Sequence, residues 1–96
     1  MAFRIIAFHY PKPEYYDEMV RRIARAAEVT AGVAGCIDVD YWREESSGAV
    51  VSTAKFASEE DWREALEAIA TAGVDFAYDE REATAREVYN LVEAEV

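Results

Sequence analysis

The residue best suited to proton chemistry in this sequence is His9, the only histidine among its 96 residues. An imidazole has an intrinsic pKa near ~6.5, so it can take up or release a proton at neutral pH or hold a phenolate. We therefore predict His9 as the catalytic residue. The alternative is a strand-end histidine that hydrogen-bonds a neighbouring carbonyl group, which is the commoner role of an isolated histidine.

Further side chains could bind a planar or hydroxylated small molecule. Aromatic rings stack on flat ligands, while a tyrosine hydroxyl or an asparagine amide can hydrogen-bond a ligand oxygen. Each has a structural alternative, since tyrosines often border a core and Trp62 shares a helical stripe with Leu66 and Ile69. The predicted ligand-binding residues are Tyr16, Trp42, Trp62 and Asn90.

The sequence gives no support for a metal or a cofactor. It has no glycine-rich loop for phosphate, no Cys/His cluster with zinc spacing and no nucleophile elbow. Asp38 and Asp40 share a strand face with Trp42, but two acids that alternate with apolar residues usually form a solvated face, not a cation site. We therefore predict a small-molecule ligand, with no metal and no cofactor.

Composition limits the partners of the chain. Its formal net charge of -10 repels nucleic acid and anionic lipid. No apolar run approaches the ~20 residues that a membrane span needs, and Met1–Phe8 lacks the basic start and cleavage site of a signal peptide. Cys36 is the only cysteine, so no internal disulfide can form. We expect neither nucleic acid nor membrane as a partner, and a cytoplasmic location.

These candidates must be positioned by strands and helices that the pattern makes visible. Residues 3–10 are apolar on both alternating faces, which predicts a strand covered on both sides. Pro11 and Pro13 end that strand and begin a helix, whose apolar stripe runs to Thr30. Residues 36–43 alternate as a half-polar strand and form a hairpin with the strand at 49–56.

A second helix follows the hairpin. Ser58 is its predicted cap, because the hydroxyl can accept the backbone N–H of Asp61 while the Asp61 carboxylate reaches back. Residues 71–85 fit either a loop or a broken helix, and we leave both open. Residues 86–93 are β-branched and aromatic enough for a fourth strand.

This order predicts a single α+β domain over residues 1–96 with a ferredoxin-like βαββαβ fold. Right-handed crossovers give a four-stranded antiparallel sheet with both helices on one face. Because the first strand is apolar on both faces, the opposite face needs a cover of its own. Sheet-to-sheet packing with an identical subunit is the simplest cover, so we predict a homodimer.

The chain also resembles the antibiotic biosynthesis monooxygenase family of dimeric α/β barrels. The resemblance rests on a first strand ending in a Pro-containing turn, on Gly35-Cys36 before the second strand, on Phe56 closing the third, and on Ser-Glu-Glu-x-Trp at residues 58–62. It covers nearly the whole chain, although no single motif in it is diagnostic. It implies a small-molecule pocket between the helices and the sheet of each subunit.

Better-known members of that family oxidise electron-rich polycyclic substrates with molecular oxygen and without metal or flavin. The resemblance therefore implies a cofactor-independent monooxygenase acting on an aromatic or polyketide-like substrate. Haem degradation, known in relatives, is disfavoured because the required Trp and His positions fall on Ala65 and near Asp75, and the first strand has no Asn. Two alternatives stay open, a non-catalytic ligand-binding dimer and an isomerase of the same barrel type, and whether the chain is an enzyme is left open.

Overall fold

The computed structural model describes residues 1–94, within which four strands and two helices form one layered unit. The elements are β1 (Phe3–His9), α1 (Tyr16–Ala31), β2 (Cys36–Glu44), β3 (Ala49–Phe56), α2 (Glu59–Thr71) and β4 (Glu87–Val92), with a short 3-10 turn at Pro13–Tyr15 before α1. The strands pair antiparallel in the order β2-β3-β1-β4. The predicted ferredoxin-like βαββαβ fold is confirmed.

The central strand β1 separates two faces of the sheet. Phe3, Ile5, Ala7 and His9 are buried on the side of the helices, and the residues between them are half-buried on the other side. On that other side, Phe8 lies edge-on to Tyr89, with ring centroids 6.2 Å apart. We define the open sheet face by its large apolar residues, which are Ile6, Phe8, Trp42, Tyr89 and Leu91.

The core lies between the helices and the sheet in two clusters. Met19 and Ile23 of α1 pack against Val50 of β3, while Ala65 of α2 packs against Ala54 and Phe56 of the same strand. α1 thus presents the buried stripe at three-to-four residue spacing that the sequence predicted. In α2, Ala65 and Ile69 are buried, but Leu66 of the predicted stripe is 46% exposed. Neither helix in the described residues is long and apolar enough to cross a membrane.

The start of α2 is locked to the start of β2. The Ser58 hydroxyl accepts the backbone N–H of Asp61 at 3.3 Å, as predicted, and donates to the Asp61 carboxylate at 2.9 Å. A Cβ added to Gly35 would lie 1.9 Å from Asp61 Cγ. Gly35 is therefore required by close packing, which gives a physical reason for the Gly-Cys pair before β2.

Residues 72–86 form an irregular segment that joins α2 to β4, which settles the stretch that the sequence left open. Arg22 of α1 is buried and donates to the carbonyl oxygens of Asp75 and Ala77 at 2.9 and 3.0 Å. Arg81 pairs with Glu18 of α1 at 2.7 Å. We call residues 72–86 the arginine-held segment, because arginines fix its path.

Candidate functional site

A cavity of about 290 Å³ lies between the two helices and the sheet. Its walls come from both helices, from all strands of the sheet and from the arginine-held segment. Most of its lining is aliphatic or aromatic, and Leu66, Phe76 and Val88 are the lining residues with substantial solvent exposure. The cavity is thus an apolar chamber that opens toward α2, the arginine-held segment and β4.

His9 lines this cavity at the end of β1. Its side chain is only 7% exposed, and within residues 1–94 its Nδ1 atom has no hydrogen-bond partner. Burial, together with the positive charges of Arg86 and Arg22, lowers the pKa of His9 to about 4, although the nearby Glu82 carboxylate raises it. The imidazole is therefore neutral at neutral pH, with one nitrogen lone pair free to accept a proton.

An ion pair with a buried carboxylate, Glu82–Arg86, lies next to His9. The Glu82 side chain is fully buried, and its Oε1 lies 3.8 Å from His9 Nδ1. Arg86 donates from Nε to both carboxylate oxygens of Glu82 at 3.0 and 2.9 Å. Its remaining donors reach the backbone carbonyl oxygens of Phe76 and Ala77 at 2.9 and 2.8 Å. Although Arg86 borders the cavity, all three of its guanidinium nitrogens already contact protein acceptors.

Trp62 forms the aromatic wall of the cavity, on the first turns of α2. Its ring also packs against Phe56, with ring centroids 5.6 Å apart and planes at 46°. Trp62 is therefore both a core residue and a cavity-lining residue. A flat ligand in the cavity would meet the indole beside the apolar side chains of Leu66 and Ile69.

The other predicted ligand-binding residues lie outside the cavity lining. Tyr16 packs on the core cluster of α1 beneath the Arg43 guanidinium, 5.3 Å from its ring centroid. Trp42 is 60% exposed on the open sheet face, and Asn90 is exposed on β4. Their role in ligand binding stays a prediction, to which this cavity gives no support.

Sequence reasoning missed Glu82 and Arg86, which the fold places next to His9. Glu82 belongs to the stretch at 71–85 that periodicity left undecided, and Arg86 was assigned to the predicted fourth strand, which in the structure begins one residue later. Their spacing of four residues is that of a helical ion pair, yet the segment is not helical. The sequence does show two opposite charges four residues apart just before the last strand. It does not show that the Glu82 side chain is buried.

The sequence model of the antibiotic biosynthesis monooxygenase family matches residues 1–70, which is most of the chain. The chain belongs to this family. Among proteins with curated descriptions, none matches it significantly.

Solved structures share the antibiotic biosynthesis monooxygenase fold with this chain. A conserved protein from Methanosarcina mazei Go1 is 19% identical, with a TM-score of 0.85 over 98% of this chain and 94% of that one. Rv0793 from Mycobacterium tuberculosis is 18% identical, with a TM-score of 0.79 over 100% and 98% of the two chains. An antibiotic biosynthesis monooxygenase is 14% identical, with a TM-score of 0.77 over 97% and 99%. At these identities the likeness concerns the fold alone.

Proposed function

We propose that this protein is a cofactor-independent monooxygenase that oxidises a small, uncharged aromatic or polyketide-like molecule in the helix–sheet cavity. The observation that carries the proposal is an apolar cavity of about 290 Å³ lined by the chain's only imidazole. Membership of the antibiotic biosynthesis monooxygenase family supports the reaction type. The substrate class is inferred from the chemistry of the lining.

The lining favours an uncharged ligand that can lose a proton. Arg86 is the cation that borders the cavity, and its engagement by Glu82 and two carbonyl oxygens leaves it poorly placed to bind a carboxylate. The other polar groups are neutral, namely His9 and the hydroxyl-bearing residues Thr30, Ser52 and Thr53. An acidic phenol or an activated methylene in a polycyclic ring system matches this environment.

The reaction we propose begins when neutral His9 takes a proton from the substrate. The resulting carbanion passes electrons to molecular oxygen, and the two combine at the substrate carbon. When a methylene becomes a carbonyl, two C–H bonds break, one oxygen atom enters the product and the other leaves as water. The substrate supplies all the electrons, so the balance needs no other reductant. The apolar walls exclude water while the carbanion exists.

We also propose that the protein is a homodimer that packs through the open sheet face. Trp42, Tyr89 and Leu91 are each more than two-fifths exposed on this face. An exposed group of large apolar side chains on one face is typical of an association surface. A cytoplasmic location belongs to the same proposal, because the lone Cys36 is not used for an internal disulfide.

A specific observation favours a second candidate, a dimer that binds its ligand without turnover. The pKa of His9 is lowered to about 4, which makes the imidazole a weaker base than an ordinary histidine. A cavity that only binds a ligand does not need a base at all. The two functions differ in whether oxygen is consumed.

Oxygen uptake by the purified, metal-free protein with a panel of hydroxyanthrones and hydroquinones tests the proposal. We expect uptake with at least one substrate, and a loss of about 10²-fold or more in rate in His9→Ala. Glu67→Ala, on the exposed side of α2, is the control and should keep the wild-type rate. Oxygen uptake that is unchanged in His9→Ala would remove His9 from the mechanism.

Fluorescence separates the remaining outcomes. Trp62 lines the cavity and should be quenched by a bound ring system, whereas Trp42 reports the open sheet face. In a Trp42→Phe background, quenching without oxygen uptake across the panel would establish ligand binding without turnover instead. Turnover in the absence of oxygen would instead establish an isomerase.

A further inference from the structure

The Glu82 carboxylate next to His9 is held in one position by its burial and by its contacts with Arg86. Glu82 has no exposed side-chain area, and three Arg86 N–H to carboxylate contacts of 2.8 to 3.0 Å fix both of its oxygens. Arg86 is fixed in turn by the carbonyl oxygens of Phe76 and Ala77. The backbone on both sides of Glu82 is also hydrogen-bonded, because Ala83 N donates to Tyr10 O at 2.7 Å and Arg81 O accepts from Lys12 N at 2.9 Å. Glu82 therefore has a defined position relative to the end of β1.

The position of this carboxylate restricts the proton on the His9 ring. A neutral imidazole carries one N–H and one lone pair, and the partner of each nitrogen decides which is which. His9 Nδ1 is buried and faces Glu82 Oε1 at 3.8 Å. A lone pair on Nδ1 would face the lone pairs of an ionised carboxylate, which is repulsive. A proton on Nδ1 would be attracted to it, so the geometry favours the tautomer with Nδ1–H and a free Nε2.

We propose that Glu82, fixed by Arg86, is the positioning residue that keeps the His9 proton on Nδ1 and so makes Nε2 the basic nitrogen for a ligand in the cavity. This inference rests on the proposed function for its catalytic meaning, although the tautomer itself does not. Glu82 does not line the cavity and acts only through His9. The pairing could not be predicted from the sequence, because His9 and Glu82 are far apart in the chain and only the fold brings them together.

The proton step balances without any further group. The substrate O–H or C–H bond breaks, an Nε2–H bond forms, and the substrate keeps the electron pair. The imidazolium that results is near the Glu82 carboxylate, which attracts it, and near Arg86 and Arg22, which repel it. The carboxylate offsets part of the new positive charge, and the 3.8 Å contact can shorten to a hydrogen bond, since such contacts are often long before a ligand binds. The proton then leaves Nε2 for the reduced oxygen and ends in the water released.

The charges that face His9 predict the direction of each change. Arg86 and Arg22 oppose protonation of the ring, and Glu82 is the group that favours it. Glu82→Gln removes the negative charge and leaves both arginines in place. We expect the pKa of His9 to fall further in that variant and the preference for Nδ1–H to weaken.

Nitrogen-15 NMR of the ligand-free protein tests the proposal directly. Because the chain has one histidine, its two ring nitrogens can be assigned without ambiguity. We expect the Nδ1–H tautomer in the wild type at neutral pH, and a shift of the tautomer ratio toward Nε2–H in Glu82→Gln. The matched control is Glu80→Gln, which removes the same charge from an exposed position in the arginine-held segment and should change neither value.

Activity gives a second readout in any protein that shows oxygen uptake. Glu82→Gln should lower kcat by about 10-fold or more with little change in KM, because the cavity walls are intact and only proton transfer suffers. Glu82→Asp keeps the charge and should restore part of the rate. A purely structural role would instead reduce the folded fraction without changing the tautomer of the protein that folds.

Two results would overturn the proposal. An Nε2–H tautomer in the wild type would exclude it even if the Glu82 variants failed to fold, because that measurement needs no variant. A Glu82→Gln protein with an unchanged tautomer ratio and an unchanged His9 pKa would also exclude it. Failure of the proposed function is a separate result, since a protein that never consumes oxygen can still show the Nδ1–H tautomer and its dependence on Glu82.

Discussion

The two connections that flank α2 are held in opposite ways. At its start, Gly35, Ser58 and Asp61 make a tight junction through backbone packing and one cap, and each partner is uncharged or sits at a helix terminus. At its end, the arginine-held segment consists mostly of exposed residues. Arg22 of α1 donates to its carbonyl oxygens, its own Arg81 pairs with Glu18 of α1, and Arg86 binds acceptors within the segment. Close packing holds the first connection, and charged hydrogen bonds hold the second. Added side-chain volume should therefore disturb the first, and loss of charge the second.

Acid should weaken the charged end and spare the tight junction. His9 has a folded-state pKa of about 4, below the 6.5 of an exposed histidine, so between these values the unfolded chain binds a proton that the folded chain does not. The contribution of His9 to the free energy of unfolding is complete above pH 6.5 and is lost as the pH falls toward 4. The loss should reach about 3 kcal/mol.

Urea unfolding from pH 7 to pH 5 measures this slope. In His9→Gln the free energy of unfolding should depend less on pH over the same range, because the residue that gains the proton on unfolding is gone. A slope equal to that of the wild type would mean that carboxylates, and not His9, control the acid response.

Gly35→Ala should destabilise the tight junction by about 2 kcal/mol. The added Cβ would lie 1.9 Å from Asp61 Cγ and 2.4 Å from Asp61 Cβ, so the start of α2 must shift and its cap must distort. Thermal and urea unfolding measure the change. Gly32→Ala is the matched control, because its Cβ would meet Val29 O at 3.4 Å and its backbone is already helical, and it should be neutral or slightly stabilising.

Arg22→Met should destabilise the protein by about 2 kcal/mol, because it removes two charge-assisted hydrogen bonds from the buried guanidinium to the carbonyl oxygens of Asp75 and Ala77. Amide hydrogen exchange should rise in the arginine-held segment while the amides at the start of α2 stay protected. Arg63→Met is the control, since its pair with Glu59 is exposed and such pairs contribute little. Equal exchange at both ends of α2 in Arg22→Met would erase the contrast between them.

Ser58→Ala should have the smallest effect, about 1 kcal/mol, the usual cost of losing a side-chain cap. The Asp61 N–H would lose its acceptor, but the packing of Gly35 against α2 would remain. Combined with Gly35→Ala, the loss should be less than the sum of the two, because both changes disturb the same Asp61 side chain. A fully additive double variant would show that cap and close approach are independent.

The same contrast explains what the sequence could predict. The strands, the helices and the Ser58 cap depend on spacing between near neighbours, and they were confirmed. His9 could be chosen because it is the only imidazole, and the fold brings it to the cavity with Trp62. Tyr16, Trp42 and Asn90 were chosen by residue type alone, and type does not say which side of a sheet or helix a side chain meets.

The arginine-held segment could not be predicted, for a physical reason. Its path is set by groups far away in sequence, namely Arg22 and Glu18 of α1 and the backbone of Tyr10 and Lys12 just after β1. The sequence pattern therefore left residues 71–85 open as either a loop or a broken helix. Glu82 illustrates the limit, since a glutamate is normally solvated and only the completed fold shows that this one is buried against Arg86.

The strand order carries a consequence for how fast this molecule can assemble. β1 is central and pairs with β4, so that Phe3 lies opposite Val92, near the two ends of the described chain. Bringing two such distant segments together costs chain entropy before stabilising contacts form. Folds rich in pairings between segments far apart in sequence therefore form slowly. Until β4 arrives, one edge of β1 is unpaired and able to recruit strands from other chains. Folding of this chain should therefore be slowest, and most prone to aggregation, at its final step.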